Sequence, residues 1–267
     1  TGTPLTVWWG RSTIREWYAL FEARTRAWCG VSWREPWAIL GGQLVVPSRR
    51  RRPPFWVWNA PLRQLYMSVF HLSAETAAAY ARAIEERGVT HLLGYPSALN
   101  ALASGLLDRK RTVRGVRAVI VNAEPLSEAQ RRAISTVFSA PVRETYGMAE
   151  LVAAASECEH GRLHLWPEVG VVEVLDDSCN PVAPGEAGRL VCTGLLNPAM
   201  PLVRYDTGDR GLRASREDAC PCGRGLPLIG PVEGRQDDVV ITPDGRAVGR
   251  LDGAFKADLP IREAQIV

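Results

Sequence analysis

Residues 117–150 read RAVIVNAEPLSEAQRRAISTVFSAPVRETYGMAE, and this stretch decides the fold class. Arg117–Val121 is a short run of apolar, mostly β-branched residues, the composition of a buried strand. Asn122-Ala123-Glu124-Pro125 is the polar turn that leaves it. Ser127 then opens a helix with Glu128 in its first turn, where a carboxylate meets the positive end of the helix dipole. Val142–Thr145 is a second strand, broken at Tyr146-Gly147. Strand, helix and strand in that order imply a crossover between parallel strands.

The alternation extends upstream. Ser73 with Glu75 predicts the start of a helix running to Arg87 and stopping at Gly88. Thr90–Leu93 reads as a strand, and Gly94-Tyr95-Pro96-Ser97 turns into a helix ending near Asp108. Residues 36–47 are β-like, with Leu44, Val45 and Val46 as an apolar run. Residues 11–30 carry Ile14, Trp17, Tyr18, Phe21 and Trp28 at helical spacing, interrupted by Arg24 and Thr25. Downstream of Glu150 the texture changes. Short strands at Val169–Val174, Gly188–Thr193 and Leu202–Arg204, separated by Gly/Pro/Asn/Asp turns, predict an antiparallel, barrel-like subregion. A polar joint, Gly234-Arg235-Gln236-Asp237-Asp238, precedes Val239–Thr242 and the hairpin turn Asp244-Gly245. The expectation is an α/β protein with parallel sheet layers flanked by helices and an antiparallel subregion. Residues 1–234 form the later part of a large domain, and 235–267 form a hinge and the start of a small α+β domain.

Composition narrows the function. The net charge is +3 over 267 residues, which argues against a nucleic-acid partner. Arg49–Arg52, closed by Pro53-Pro54, reads as a solvated loop. No run of about 18 apolar residues predicts a membrane span, and no signal peptide is recognisable. Six cysteines dispersed over the chain suit a reducing compartment, so a cytoplasmic location is expected. Both ends read as cut.

Four polar turns occupy or follow strand ends, where α/β sheets bind ligands: Thr1–Thr3, Asn122–Pro125, Tyr146–Glu150 and Tyr205–Asp209. Thr1-Gly2-Thr3-Pro4 resembles the second half of the phosphate loop of the acyl-CoA synthetase, peptide-synthetase adenylation and luciferase superfamily. Phe70-His71-Leu72-Ser73 resembles its acyl-pocket motif, Ala123-Glu124-Pro125-Leu126 its nucleotide-side turn, and Tyr146-Gly147-Met148-Ala149-Glu150 its aromatic-Gly-x-Thr/Ser-Glu motif. Gly185-Glu186 with Gly188-Arg189-Leu190, Tyr205-Asp206-Thr207-Gly208-Asp209 and the Gly234–Asp238 hinge follow in family order. Tyr95-Pro96-Ser97, Cys158–His164, Leu195-Leu196-Asn197-Pro198 and Cys220-Pro221-Cys222-Gly223-Arg224 resemble the phenylacetate–CoA ligase branch and its capsule-biosynthesis and coenzyme F390 synthetase relatives.

The resemblance implies an adenylate-forming ligase that uses ATP and Mg²⁺, and CoA in some members, on a small carboxylic acid, aromatic by branch. It implies that Thr1, Gly2 and Thr3 cradle phosphate and that Glu150 binds Mg²⁺. Tyr146 and Gly147 would lie against adenine, with Asn122, Ala123 and Glu124 as the purine-side wall. Asp209 would accept the ribose hydroxyls, Arg235 would reach the ribose or α-phosphate, and Asp237 would be the hinge pivot. His71 and Tyr95 would line the acyl pocket. Apart from the resemblance, Cys158, His164, Cys220 and Cys222 are a candidate Zn²⁺ set, with His160 competing for the histidine place. Cys29, Cys179 and Cys192 are assigned to structure.

The sequence departs from the family at Ala149, where a Thr or Ser is usual. The family's catalytic lysine would lie beyond Val267, so the residues present would not complete adenylation efficiently. A homodimer is left open. Adenylyl transfer to a non-carboxylate acceptor, and a binding module that has lost catalysis, remain the competing readings.

Overall fold

The computed structural model describes residues 5–215, 219–234, 239–241 and 247–249. Its helices are α1 (Arg11–Phe21), α2 (Ala77–Glu86), α3 (Pro96–Leu107) and α4 (Glu128–Phe138). The strands begin with β1 (Trp37–Gly41), β2 (Trp56–Asn59), β3 (Gln64–Ser68), β4 (His91–Gly94), β5 (Ala118–Asn122), β6 (Val142–Gly147), β7 (Ala154–Glu157) and β8 (Leu163–Leu165). They continue with β9 (Gly170–Leu175), β10 (Ala187–Gly194), β11 (Tyr205–Leu212), β12 (Leu228–Ile229), β13 (Val232–Gly234), β14 (Val239–Ile241) and β15 (Ala247–Gly249). The class is α/β. The described residues fall into two compact units.

One unit contains residues 34–119 and 128–140. Strands β4, β1 and β3 are parallel, and β2 pairs antiparallel on the edge. All four residues of β4 are buried, as expected for a parallel strand covered on both faces. Helix α2 is built largely from alanine, the best helix former, and buries Ala77, Tyr80, Ala81 and Ile84 on one face. Pro96 starts α3 where its missing N–H costs nothing, and Leu99, Leu102 and Leu106 are fully buried.

The other unit contains residues 5–33, 120–127 and 141–234. Here β6, β7, β8 and β12 run antiparallel, and a separate antiparallel sheet has the order β13-β11-β10-β9. Two apolar clusters hold it. One joins Val152, Val174, Leu190, Cys192 and Ile229. The other sets Trp17, Leu20 and Phe21 of α1 against Trp166 and Val169.

Several expectations are corrected. Helix α2 starts at Ala77 because Ser73–Thr76 closes its own turn: Ser73 N–H donates to Thr76 Oγ1 at 2.9 Å, and Thr76 Oγ1 donates to the His71 carbonyl at 2.8 Å. β1 ends at Gly41, so Leu44–Val46 lies outside the ladder, although Val46 is buried. In α1 only part of the apolar stripe faces the core, and Ile14 and Tyr18 are exposed. The helix then widens into a π-turn at Glu22–Arg26, which brings the Thr25 hydroxyl to Ser156 Oγ at 2.8 Å. Residues 202–204 precede a strand rather than form one. Tyr205–Asp209, expected as a turn, is the first part of β11, with Gly208 at φ +74° beside a register shift against β10. Strands β14 and β15 pair antiparallel; the turn expected between them lies outside the described residues.

Candidate functional site

Two segments of the second unit meet side by side. β6 ends in Tyr146-Gly147 and leads to Glu150, while β11 opens with Tyr205 and passes through Asp209. The Tyr146 phenol donates to Asp209 Oδ2 at 2.8 Å. The Tyr205 phenol donates to Glu150 Oε1 at 3.3 Å. Each segment therefore supplies one phenol and one carboxylate, and the pairs are reciprocal. Glu150 and Asp209 are held at the joint between the same two segments, 55 and 63 residues from their partners.

The supports are local. Thr207 is buried, donates to the Leu190 carbonyl at 2.9 Å and accepts from the Asp209 amide at 3.1 Å, which fixes the backbone under the Asp209 carboxylate. Asp206 Oδ1 accepts from Gly208 N–H at 3.0 Å. Trp9 Nε1 donates to the Ala149 carbonyl at 2.9 Å, pinning the stretch before Glu150. Thr145 Oγ1 donates to the Val121 carbonyl at 3.0 Å, so the Asn122–Glu124 turn begins next to the end of β6. Ala123, Leu151 and Arg204 have φ values of 70°, 54° and 49°, a region that costs side-chain-bearing residues free energy. These three flank the three site segments.

Electrostatics follow from burial. Desolvation first, and then the adjacent Asp209 charge, drives the Tyr146 phenol well above its ordinary range, so it remains a donor at neutral pH. Burial, and then the field of Asp209, Glu173 and Asp206, pushes the Cys192 thiol up to about 12. Of these carboxylates, Asp206 is paired with Arg189 and Glu173 with Arg204, whereas Asp209 accepts from the Tyr146 phenol. One carboxylate beside a polyphosphate is an adequate protein contribution for Mg²⁺, which keeps most of its waters. Glu150 fits that role. Tyr205, Thr207 and Trp9 were not singled out as site residues from sequence. The first two lie within the motif that carries Asp209, which was the available signal.

In the first unit, His71 and Tyr95 lie at the carboxyl edge of the parallel strands. Gly41 is in register with Ser68 and Leu40 with Gly94, so residues 42, 71 and 95 follow neighbouring strand ends. Tyr95 Oη lies 3.2 Å from where a side chain on Gly42 would begin. His71 stacks on Phe55 at 4.8 Å and places Nδ1 2.8 Å from Ser68 Oγ.

Cys158, His164, Cys220 and Cys222 converge in the second unit. Their ligand atoms all lie within 4.8 Å of one another. Cys158 and Cys220 are 3.6 Å apart at sulfur, and Cys222 Sγ is 3.4 Å from His164 Nε2. Burial lowers the His164 pKa, which favours the neutral imidazole. His160 is exposed and lies outside the group. Thr1, Gly2, Thr3, Arg235 and Asp237 lie outside the described residues.

The sequence pattern of the AMP-binding enzyme family matches residues 37–197, more than half of the chain. The chain belongs to the AMP-binding enzyme family. That match includes Glu124, Tyr146 and Glu150 and stops before Asp209. Among relatives, Protein CapK of Staphylococcus aureus is 30% identical over 64% of this chain and 37% of its own length. A phenylacetate-coenzyme A ligase of Thermus thermophilus is 37% identical over 46% of the chain and 28% of its own. The AMP-binding fold is seen again in an open conformation of 2-hydroxyisobutyryl-CoA ligase solved with 2-HIB-AMP and CoA. The TM-score is 0.63 and the identity 22%, over 93% of this chain and 58% of that one. The chain thus spans less than two thirds of each of these relatives. No helix among the described residues is long and apolar enough to cross a membrane.

Proposed function

We propose that the protein containing this chain activates a carboxylic acid at the α-phosphate of ATP and passes the acyl group to CoA or another nucleophile. The observation that carries the reading is the reciprocal pairing of Tyr146 with Asp209 and Tyr205 with Glu150. It sets two carboxylates at one joint, and the reaction has a use for both. Asp209 accepts the ribose hydroxyls in charge-assisted hydrogen bonds, with Tyr146 orienting its carboxylate. Glu150 holds Mg²⁺, steadied by Tyr205; the ion, when bound, would offset charge on the phosphate oxygens. Asn122–Glu124 form the wall on the purine side. Thr1, Gly2 and Thr3 contact phosphate, Arg235 stabilises charge at the α-phosphate, and Asp237 is the pivot for a small domain.

An aromatic acid is favoured because one group of relatives is named for phenylacetate. His71 and Tyr95, at one carboxyl edge, are the acyl-pocket residues of this reading. A cytoplasmic location is part of this reading, on the dispersed cysteines of the sequence. The test is ATP–pyrophosphate exchange by the full-length protein with a panel of acids. Acid-dependent exchange, strongest with arylacetates or benzoates, is expected. AMP transfer without acid-dependent exchange would favour a non-carboxylate acceptor, and ATP binding with neither would favour a binding module.

A further inference from the structure

We propose that Cys158, His164, Cys220 and Cys222 hold one structural Zn²⁺, at a site separate from the proposed nucleotide site. The geometry fits the ion. With Zn–S near 2.3 Å and Zn–N near 2.0–2.1 Å, a tetrahedron has S···S edges of about 3.8 Å and S···N edges of about 3.6 Å. The observed 3.6 Å between Cys158 and Cys220 and 3.4 Å between Cys222 and His164 are close to those edges. The 4.8 Å limit on all separations encloses a single ion. Three thiolates and one imidazole are a donor set that structural zinc takes in tetrahedral geometry. The four protein donors leave no open coordination position, which makes the site structural rather than catalytic. Each thiol gives up its proton as the ion binds.

The backbone around the donors is shaped for this. Cys158 and Cys220 each open a tight turn: Gly161 N–H donates to the Cys158 carbonyl at 3.0 Å, and Gly223 N–H to the Cys220 carbonyl at 3.1 Å. Gly161 and Gly223 have φ +72° and +74°, a conformation glycine adopts without strain. Residues 219–227 contain one large apolar side chain, Leu226. Arg224 pairs with Glu159 at 2.6 Å and lies 4.3 Å from the centre of the Trp28 ring. Both contacts are the weak, partly exposed kind. The zinc ion gives this loop a strong attachment to the β7–β8 hairpin, and β12 then continues the pairing at His164.

The experiment is elemental analysis of the full-length protein together with cobalt substitution. The protein purified without added metal should carry about one zinc per chain and keep it through dialysis against metal-free buffer. Its Co²⁺ form should show the intense visible bands of a tetrahedral site and near-ultraviolet charge transfer from three thiolates. Joint Cys220→Ser and Cys222→Ser substitution should lower zinc content at least tenfold, whereas Cys29→Ser should leave it intact. Should the double variant be insoluble, the wild-type cobalt spectrum decides. Wild-type protein with under about a tenth of a zinc per chain and no tetrahedral cobalt spectrum would overturn the proposal. So would zinc that survives the double substitution. Neither result depends on adenylation activity.

Discussion

The phenol–carboxylate cluster and the thiol–imidazole cluster lie in the same compact unit and are assembled alike. Each joins two chain segments 55 to 63 residues apart through two cross-segment contacts. They differ in what the contacts leave over. In the first, each contact is a phenol proton given to one carboxylate oxygen, and a carboxylate has capacity for further donors or a cation. In the second, four potential metal-ligand atoms lie within 4.8 Å of one another. On the proposals above, the first arrangement would orient groups for a ligand that comes and goes, and the second would close on one ion. The contrast separates a site suited to turnover from one suited to cohesion, and it can be tested on either side.

The largest effect is expected at Asp209. On the proposed reading, replacing it with alanine would remove two charge-assisted hydrogen bonds to ribose, worth about 1.5–3 kcal/mol each. The kcat/KM for ATP in pyrophosphate exchange should therefore fall by about 10²–10⁴-fold. Exchange that is unaltered in Asp209→Ala would remove the ligand-binding half of the comparison. Next comes the closed cluster. A metal held at about a thousand times its Kd stabilises the folded state by about 4 kcal/mol. Joint Cys220→Ser and Cys222→Ser substitution should lower Tm by roughly 8–16 °C, and metal removal from the wild type should reproduce the shift in calorimetry. An unchanged Tm would make the cluster a group of free thiols.

A smaller effect sharpens the open cluster. Tyr205→Phe deletes the hydrogen bond that orients Glu150, so the Mg²⁺ concentration for half-maximal exchange should rise, by at most about tenfold for a bond of about 1.5 kcal/mol. A fall in rate at saturating Mg²⁺ with no change in that concentration would assign Tyr205 a different task. The smallest effect concerns pH. Tyr146 has a folded pKa raised above the ordinary value of about 10, so its stabilising contribution is full below about pH 10 and is lost as pH rises towards the folded pKa. Urea unfolding midpoints should decline above about pH 10, and less steeply in Tyr146→Phe. Some decline remains, because burial raises the Tyr80 phenol in the same way.

Much of this was legible from the chain. The order of strands and helices between residues 73 and 147 follows from apolar runs, caps and turn residues, all of which act over a few neighbours. Motif order named Glu150 and Asp209 together as candidates, and the structure brings their two segments side by side. Other features were not legible for reasons of range. The helix start at Ala77 depends on a turn in which Ser73 and Thr76 satisfy each other. Tyr205–Asp209 looks like a turn because of Gly208, and becomes a strand because β10 offers it a partner. The roles of Tyr205 and Thr207 depend on which distant groups face them.

The sequence by itself determined the α/β class, the family and the residue types able to bind a nucleotide or a metal. These rest on local propensity and on chemical identity, which are carried in the side chains. Only the tertiary structure decided which phenol serves which carboxylate, that His164 rather than His160 joins the cysteines, and that four ligand atoms share a space of 4.8 Å. Hydrogen bonds and coordination bonds act over a few ångströms, and separations of some sixty residues become that short only through strand pairing and core packing.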